Sequence, residues 1–164
     1  MYTLKKIGEI LNSPVLGSIP ETTVTYLLTD SRRLIAPPNT LFIAIRSERN
    51  DGRNYIASLI KQGVQAFIIQ DQPNPEWLNN ASFIVVENSL VALQSLAEYH
   101  RNQYNLPIIG ITGSNGKTTV KEWLVHILHP LMQIVASPGS HNSQIGVPLS
   151  VWQITDQHQL GIFE

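Results

Sequence analysis

The chain has 164 residues, enough for one domain or two small ones. Apolar residues make up 43% of it, so it can bury a core, and 11 basic against 12 acidic residues leave a formal net charge of −1. That balance argues against a protein that holds nucleic acid through the charge of the phosphate backbone. The absence of cysteine excludes disulfides, thiolate metal sites and thiol catalysis.

The N-terminal segment carries charges within its apolar pattern, unlike the uninterrupted apolar region of a secretory signal. No apolar run approaches the ~18 residues that a membrane span requires. We therefore expect a soluble, cytoplasmic protein without a membrane span.

Predicted strands and helices alternate in the first half of the chain. A helix near the N-terminus has Thr3 as its candidate cap, and a second helix over 55–60 ends at Gly63. Strands are predicted over 24–28, 41–45, 66–69 and 83–86. A further helix begins at Ser89, its candidate cap.

The second half continues this alternation. A strand over 106–112 runs into a glycine-rich turn, a helix follows that Pro130 ends, and strands are predicted over 134–136 and 160–164. Trp123 and Trp152 stand at apolar helical positions and are predicted to be core. The pattern predicts an α/β fold with parallel strand pairs and a domain boundary near residues 87–89. Because the chain stops at Glu164, where a crossover should follow, we expect it to come from a longer protein.

The segment from Gly110 to Thr119, G-I-T-G-S-N-G-K-T-T, lies between a predicted strand and a predicted helix. Its glycines allow backbone N–H groups to point at an anion, and the helix that begins near Lys117 adds its positive dipole end. Lys117 can reach the outer phosphates of a nucleotide, and the Thr118 hydroxyl lies where a phosphate-bridging Mg²⁺ would sit. The alternative is a glycine-rich turn with a surface lysine.

The spacing of this loop is not that of the strict pattern G-x-x-x-x-G-K-[ST], because Ile111 occupies the position of the first glycine. It is also not G-x-G-x-x-G, which disfavours a dinucleotide fold. Glu164, at the end of the last predicted strand, is a second candidate Mg²⁺ ligand, although an exposed terminal residue is the alternative.

The loop from Gly110 to Thr119 resembles the ATP loop of the Mur ligases, the ATP-dependent amide ligases of peptidoglycan precursor synthesis. The segments T-D-S-R (29–32), L-F-I-A-I (41–45) and E-R-N-D-G (48–52) resemble the N-terminal uridine-nucleotide domain of the branch that adds the third amino acid or the final dipeptide. Segments 88–94 and 140–149 resemble parts of the central domain.

Within this family, I-G-V-P-L and E-R-x-D favour the member that joins D-alanyl-D-alanine to UDP-N-acetylmuramoyl-tripeptide. The sequence of residues 143–152 is similar to that of the version fused to a C-terminal alanine racemase. Pyridoxal phosphate is implied as a cofactor only if that racemase domain is present. The resemblance implies a small mixed α/β domain that binds the UDP-N-acetylmuramoyl peptide (1–87), followed by the first part of a P-loop parallel-sheet ATPase domain (88–164). Without the remaining domains, such a chain should not catalyse.

The resemblance also implies roles for individual residues. Lys117 would be catalytic, Thr118 and Glu164 would hold Mg²⁺, and Asn142 would face the substrate. The triphosphate would be held by Gly113, Ser114, Asn115, Gly116, Lys117, Thr118 and Thr119. The uridine diphosphate would be held by Ser31, Arg32, Arg46 and Asp51. For Ser31 and Arg32 the residues alone favour a turn started by Asp30 with a solvated arginine, and it is the family resemblance that favours the uridine-diphosphate role. Ser47, Arg53 and Ser143 depart from the residues usual in the family.

Two other classes of protein fit the loop. One is a non-catalytic nucleotide-binding module, and the other is a P-loop kinase or GTPase. A GTPase would usually carry an N-K-x-D guanine-binding motif after the loop, and this sequence contains none.

Overall fold

The computed structural model describes residues 1–47 and 50–164 and divides into two units, Met1–Ser95 and Leu96–Glu164. The division falls inside a helix, later in the chain than the boundary near 87–89 that the sequence predicts. Glu48 and Arg49, part of the E-R-N-D-G segment, lie outside the described residues.

The N-terminal unit contains nine strands and two complete α-helices within the described residues, and a third α-helix begins in it. In chain order they are β1 (Tyr2–Thr3), α1 (Leu4–Ile10), β2 (Val15–Gly17), β3 (Thr23–Val24), β4 (Tyr26–Leu28), β5 (Thr40–Ile43), β6 (Arg46–Ser47), β7 (Asn50–Asp51), α2 (Ile56–Lys61), β8 (Ala66–Ile69), β9 (Ser82–Val85) and α3 (Ser89–Arg101). Five strands form one sheet in the order β2-β9-β8-β5-β4, in which β2 alone is antiparallel to its neighbour. This confirms the predicted α/β class.

Two helices of this unit, α1 and α3, begin where short polar side chains satisfy free backbone N–H groups, whereas α2 has no side-chain cap. Thr3 caps α1, as predicted, because its hydroxyl accepts from the N–H of Lys6 at 3.2 Å. The prediction that Ser89 caps α3 is wrong. Asn88 takes that role, since its side-chain oxygen accepts from the N–H groups of Leu90 and Val91 at 2.9 and 3.2 Å.

The core of the N-terminal unit lies against the central strands, β5 and β8, in which every residue is buried. Phe67 stacks on Phe83 with ring centroids 5.1 Å apart, and Trp77 also stacks on Phe83, at 6.1 Å. Such runs of consecutive buried residues are typical of parallel strands that are covered on both faces.

The C-terminal unit has a three-stranded sheet in which all pairs are parallel, in the order β10-β12-β11. Its elements after α3 are β10 (Ile108–Gly110), α4 (Lys117–Leu128), β11 (Ile134–Ala136), α5 (Gly146–Val151) and β12 (Leu160–Phe163). The last strand in the sequence is therefore the central one. Its end places Glu164 between the ends of β10 and β11, at the sheet edge where parallel α/β proteins bind ligands.

One prediction about the core of this unit is confirmed and another is wrong. Trp152 is buried, whereas Trp123 is 66% exposed on α4. The residue that α4 buries completely is Lys121. Among the described residues, no helix is both long and apolar enough to cross a membrane.

His100 is a buried titratable group in the C-terminal unit. Its ring lies 4.7 Å from that of Trp152 and 5.0 Å from that of Tyr104, and its Nε2 donates to the carbonyl oxygen of Ile154 at 3.0 Å. Burial lowers the pKa of His100 below its ordinary value of 6.5, which the hydrogen bond to Ile154 partly opposes. The folded protein therefore holds this imidazole neutral.

We expect His100 to make folding stability fall as the pH decreases below about 6.5. Below that pH the unfolded chain binds a proton at this position before the folded chain does, so unfolding is favoured. Urea unfolding at pH 7.5 and pH 5.5 measures the effect. His100→Phe should show a smaller difference between the two pH values than the wild type, whereas the exposed His126→Gln should not change it. Equal differences in all three proteins would refute the assignment.

Candidate functional site

The loop between β10 and α4 leaves the start of a helix open to a ligand. Gly113 and Gly116 have φ values of 145° and 76°, a backbone conformation that residues with a Cβ atom adopt only with strain. Gly116 occupies the N-cap position of α4, and no side-chain hydrogen bond is made from it. The first N–H groups of a helix that lacks a side-chain cap are available to an anion.

Lys117 folds back over this loop. Its ammonium group donates to the carbonyl oxygen of Gly113 at 2.7 Å, so its charge lies beside the start of α4. Ser114, Asn115 and Thr119 are exposed. The predicted phosphate-binding residues are thus gathered in one accessible loop next to a positive charge, and their role stays a prediction.

The structure brings Thr118 and Glu164 together across 46 positions of sequence. The Thr118 hydroxyl lies 3.0 Å from each carboxylate oxygen of Glu164, and the Glu164 side chain is fully buried. The alternative of an exposed terminal residue is therefore wrong. A hydroxyl and a carboxylate are hard oxygen donors that suit Mg²⁺.

The described residues contain no group of three or more His, Cys, Asp or Glu side chains placed to hold a metal ion. This does not conflict with a nucleotide-dependent Mg²⁺ site, because Mg²⁺ commonly takes one or two protein oxygens and completes its shell with water and phosphate. Asn142, the remaining candidate of this unit, is exposed in the segment between β11 and α5.

Lys121 and Ser137 lie next to this pair and were not predicted from the sequence. Lys121 is fully buried, and its ammonium group donates to the carbonyl oxygen of Ser137 at 2.7 Å. The Ser137 hydroxyl accepts from the backbone N–H of Glu164 at 3.3 Å. A lysine on an amphipathic helix normally predicts an exposed position, so the sequence held no signal for this arrangement.

A cavity of about 410 Å³ in the N-terminal unit contains two predicted uridine-nucleotide residues, Ser31 and Arg32. Thr29, Asp30 and Tyr55 complete its lining. Arg32 donates to both oxygens of Asp30 at 2.9 and 2.8 Å, and this pairing lowers the pKa of Asp30 to about 2. Tyr55 was not predicted as a cavity residue, because its apolar spacing fits the predicted helix over 55–60 equally well.

The local geometry here also matches the alternative interpretation. Asp30 accepts from the N–H of Arg32 and starts a 3-10 turn over Ser31–Arg33, while the Arg32 side chain is 87% exposed. The same arginine also lines the cavity, so its exposed guanidinium group is compatible both with a solvated side chain and with one that binds a ligand. The role of Ser31 and Arg32 stays a prediction.

The other two uridine-nucleotide candidates, Arg46 and Asp51, are paired with each other and with missed residues. Arg46 lies 3.3 Å from Asp51 and also bonds Asp71, which in turn lies 3.1 Å from Arg53. We call these four residues the Arg–Asp cluster. Its members are roughly half exposed and its formal charges cancel. Asp71 carried a usable signal, because it follows the carboxyl end of the parallel strand β8.

Comparison with known proteins gives the family. The model of the Mur ligase family catalytic domain matches residues 23–101, and that of the Mur ligase middle domain matches residues 111–164. The chain belongs to the Mur ligase family, which confirms the resemblance seen in its motifs.

Individual relatives narrow this result. The chain is 32% identical over 163 residues to the UDP-N-acetylmuramoyl-tripeptide--D-alanyl-D-alanine ligase of Bacillus subtilis, covering 99% of this chain and 35% of that protein. A crystal structure of MurF from Acinetobacter baumannii superposes with a TM-score of 0.87 at 30% identity over 99% of this chain and 35% of that one. The structure of MurF from Thermotoga maritima in complex with ADP superposes with a TM-score of 0.72 at 26% identity, over 87% of this chain and 32% of that one. The chain thus spans about a third of the length of these proteins.

Proposed function

We propose that this chain is the uridine-nucleotide and ATP-loop part of a ligase that joins D-alanyl-D-alanine to UDP-N-acetylmuramoyl-tripeptide at the expense of ATP. The observation that carries the proposal is the pairing of Thr118 with the buried Glu164 beside an uncapped glycine-rich loop. Phosphoryl transfer depends on positioning and charge neutralisation, and this arrangement supplies both. The relatives that match almost the whole chain carry this activity in their names.

In this proposal the loop binds the triphosphate of ATP. The N–H groups of Gly113 to Thr119 face the phosphate oxygens, and the Lys117 ammonium group exchanges the carbonyl of Gly113 for an outer phosphate. The exposure of Ser114, Asn115 and Thr119 leaves room for a ligand. Lys117 then neutralises charge on the phosphoryl group as it is transferred.

Thr118 and Glu164 would hold Mg²⁺, which when bound neutralises phosphate charge. The fit is supported by two oxygen donors whose separation of 3.0 Å lets both face one ion. The Glu164 carboxylate is kept ready for this role, because burial removes competing water and Thr118 holds its orientation.

The proposed reaction has two steps. The γ-phosphoryl group of ATP passes to the terminal carboxylate of the tripeptide, which releases ADP and forms an acyl phosphate. The amine of D-alanyl-D-alanine then attacks the acyl carbon, an amide bond forms and inorganic phosphate leaves. This chain's own residues position the phosphoryl donor in the first step, and Asn142 would face the substrate from the segment after β11.

The N-terminal region, 1–87, would bind the uridine end of the substrate, and 88–164 would begin the ATP-binding domain. The cavity lined by Ser31, Arg32 and Tyr55 is of a size that accepts a nucleoside-sized ligand. Arg46 and Asp51 would contribute through the Arg–Asp cluster, in which a diphosphate would replace Asp71 as the partner of Arg46. A cytoplasmic location, and a fused racemase with its pyridoxal phosphate, remain predictions.

ADP release by the full-length gene product tests the function. We expect release to need UDP-N-acetylmuramoyl-tripeptide and D-alanyl-D-alanine together. Stimulation by a UDP-N-acetylmuramoyl-dipeptide with a free amino acid would instead select the ligase that adds the third residue. Stimulation by no acceptor pair would select a non-catalytic nucleotide-binding module.

Lys117→Ala in the full-length protein should abolish substrate-dependent ADP release, because the phosphoryl group loses its mobile cation. Lys61→Ala, which removes an exposed lysine at the end of α2, is the matched control and should retain wild-type turnover. Undiminished turnover of the Lys117 variant rules the loop out as the phosphate site.

Glu164→Gln should weaken the Mg²⁺ dependence of ADP binding about tenfold or more, since a charge-assisted contact contributes about 1.5–3 kcal/mol. The amide keeps the shape of the carboxylate and can still meet the Thr118 hydroxyl. Calorimetric titration of ADP with and without Mg²⁺ measures the change, with the exposed Glu98→Gln as control. An unchanged Mg²⁺ effect would contradict the role of Glu164.

Arg32→Ala should weaken binding of UDP by about tenfold, because an exposed guanidinium at the cavity edge is lost. Arg33→Ala is a close control, as it removes an exposed arginine from the same 3-10 turn but not from the cavity lining. Calorimetric or NMR titration with UDP gives both affinities. Equal losses in the two variants would indicate a general charge effect and not a site.

A further inference from the structure

Lys121 is a charged group that the proposed reaction does not use, and it is fully buried. It lies on α4, one turn after Lys117, which points to the loop. Taking an ammonium group out of water costs several kcal/mol unless it is paired and hydrogen-bonded, so its partners define its role.

The partners of Lys121 come from the segment that follows β11. Its Nζ donates to the carbonyl oxygens of Ser137, at 2.7 Å, and Gly139. Two positions of the segment after β11 are thereby attached to the helix that begins at the glycine-rich loop. This segment continues into Asn142, the residue expected to face the substrate.

Lys121 also faces two carboxylates. Its Nζ is 3.3 Å from the exposed side chain of Glu122 and 3.9 Å from the buried carboxylate of Glu164. The second distance places a fixed positive charge beside a proposed Mg²⁺ ligand. Ser137 adds a second connection, because its hydroxyl accepts from the N–H of Glu164.

We propose that Lys121 is a positioning residue that holds the Glu164 carboxylate and the Ser137–Gly139 segment in place around the metal–nucleotide site. Its ammonium group balances the negative charge of the buried carboxylate and keeps it turned toward Thr118. The Thr118 hydroxyl lies within hydrogen-bonding distance of both carboxylate oxygens. The inference rests on the proposed function, since it concerns the same Mg²⁺ ligand. Lys121 itself contacts neither phosphate nor substrate.

A double-mutant cycle on the 164-residue chain tests the proposal. Calorimetry gives the factor by which Mg²⁺ tightens ADP binding in the wild type, Lys121→Met, Glu164→Gln and the double variant. We expect Lys121→Met to reduce that factor about tenfold, as loss of a residue that orients a metal ligand does. In the Glu164→Gln background the same change should reduce it less than twofold. Lys61→Met should leave it unchanged.

A merely structural role gives a different result. Lys121→Met would then lower ADP affinity by the same factor with and without Mg²⁺, or reduce the Mg²⁺ effect equally in both backgrounds. Either outcome overturns the proposal. If the wild type shows no Mg²⁺-dependent ADP binding, the proposed function of the loop fails first and this inference fails with it, so the two failures are distinguishable.

A measurement on the wild type covers the case in which Lys121→Met does not fold. In the chain labelled with ¹⁵N at lysine Nζ, the buried ammonium group should give a slowly exchanging NMR signal. Mg²⁺–ADP should shift that signal, and ADP alone should shift it less. A signal that does not respond to Mg²⁺–ADP, in a sample that calorimetry shows to be bound, overturns the proposal.

Discussion

The C-terminal unit depends on a pair of buried opposite charges, Lys121 and Glu164, 3.9 Å apart at the carboxyl ends of its strands. Neither ion can be kept out of water unless its remaining hydrogen-bonding capacity is used. The Thr118 hydroxyl bonds the carboxylate, and the carbonyl oxygens of Ser137 and Gly139 accept from the ammonium group, so much of this capacity is used. Strand register in this unit is therefore fixed by polar contacts as well as by apolar packing, because a slip of one residue would turn Glu164 to the opposite face.

The two candidate sites differ in how their charges are held. In the C-terminal unit the charged side chains of Lys121 and Glu164 are buried and have few alternative partners. This arrangement suits a site that must position a phosphate accurately. In the N-terminal unit the Arg–Asp cluster is about half exposed, and ion pairs of that kind contribute little to stability. In the proposed function, Arg46 exchanges Asp71 for the substrate diphosphate at small cost, because the ion pair that it gives up is half exposed. The sites thus favour precision in one unit and exchange in the other.

Local apolar patterns were enough to predict most of the strands, and for β8 and β11 they gave the bounds that the structure has. These patterns failed where contacts with residues distant in the sequence determine whether a side chain is buried. Lys121 is buried because carbonyl groups 16 and 18 positions away accept from it, and no local pattern contains that information. Helix α5 was not predicted; its Pro148 lies in the first helical turn, where proline removes no intrahelical hydrogen bond. The pairing of Thr118 with Glu164 follows from the position of β12 beside β10, whereas the sequence predicted only that both residues are candidate Mg²⁺ ligands.

The unusual glycine spacing of the phosphate loop has a local explanation. Ile111, at the position of the first glycine in the strict pattern, still belongs to the sheet ladder, since its N–H donates to the carbonyl oxygen of Phe163 at 2.8 Å. Extended backbone of that kind accepts any residue. The turn that needs glycine starts at Gly113 and ends at Gly116, where φ is positive, and open space around Gly116 shows that conformation, not crowding, selects the residue. The proposed phosphate-binding turn therefore needs glycine at Gly113 and Gly116 and not at Ile111.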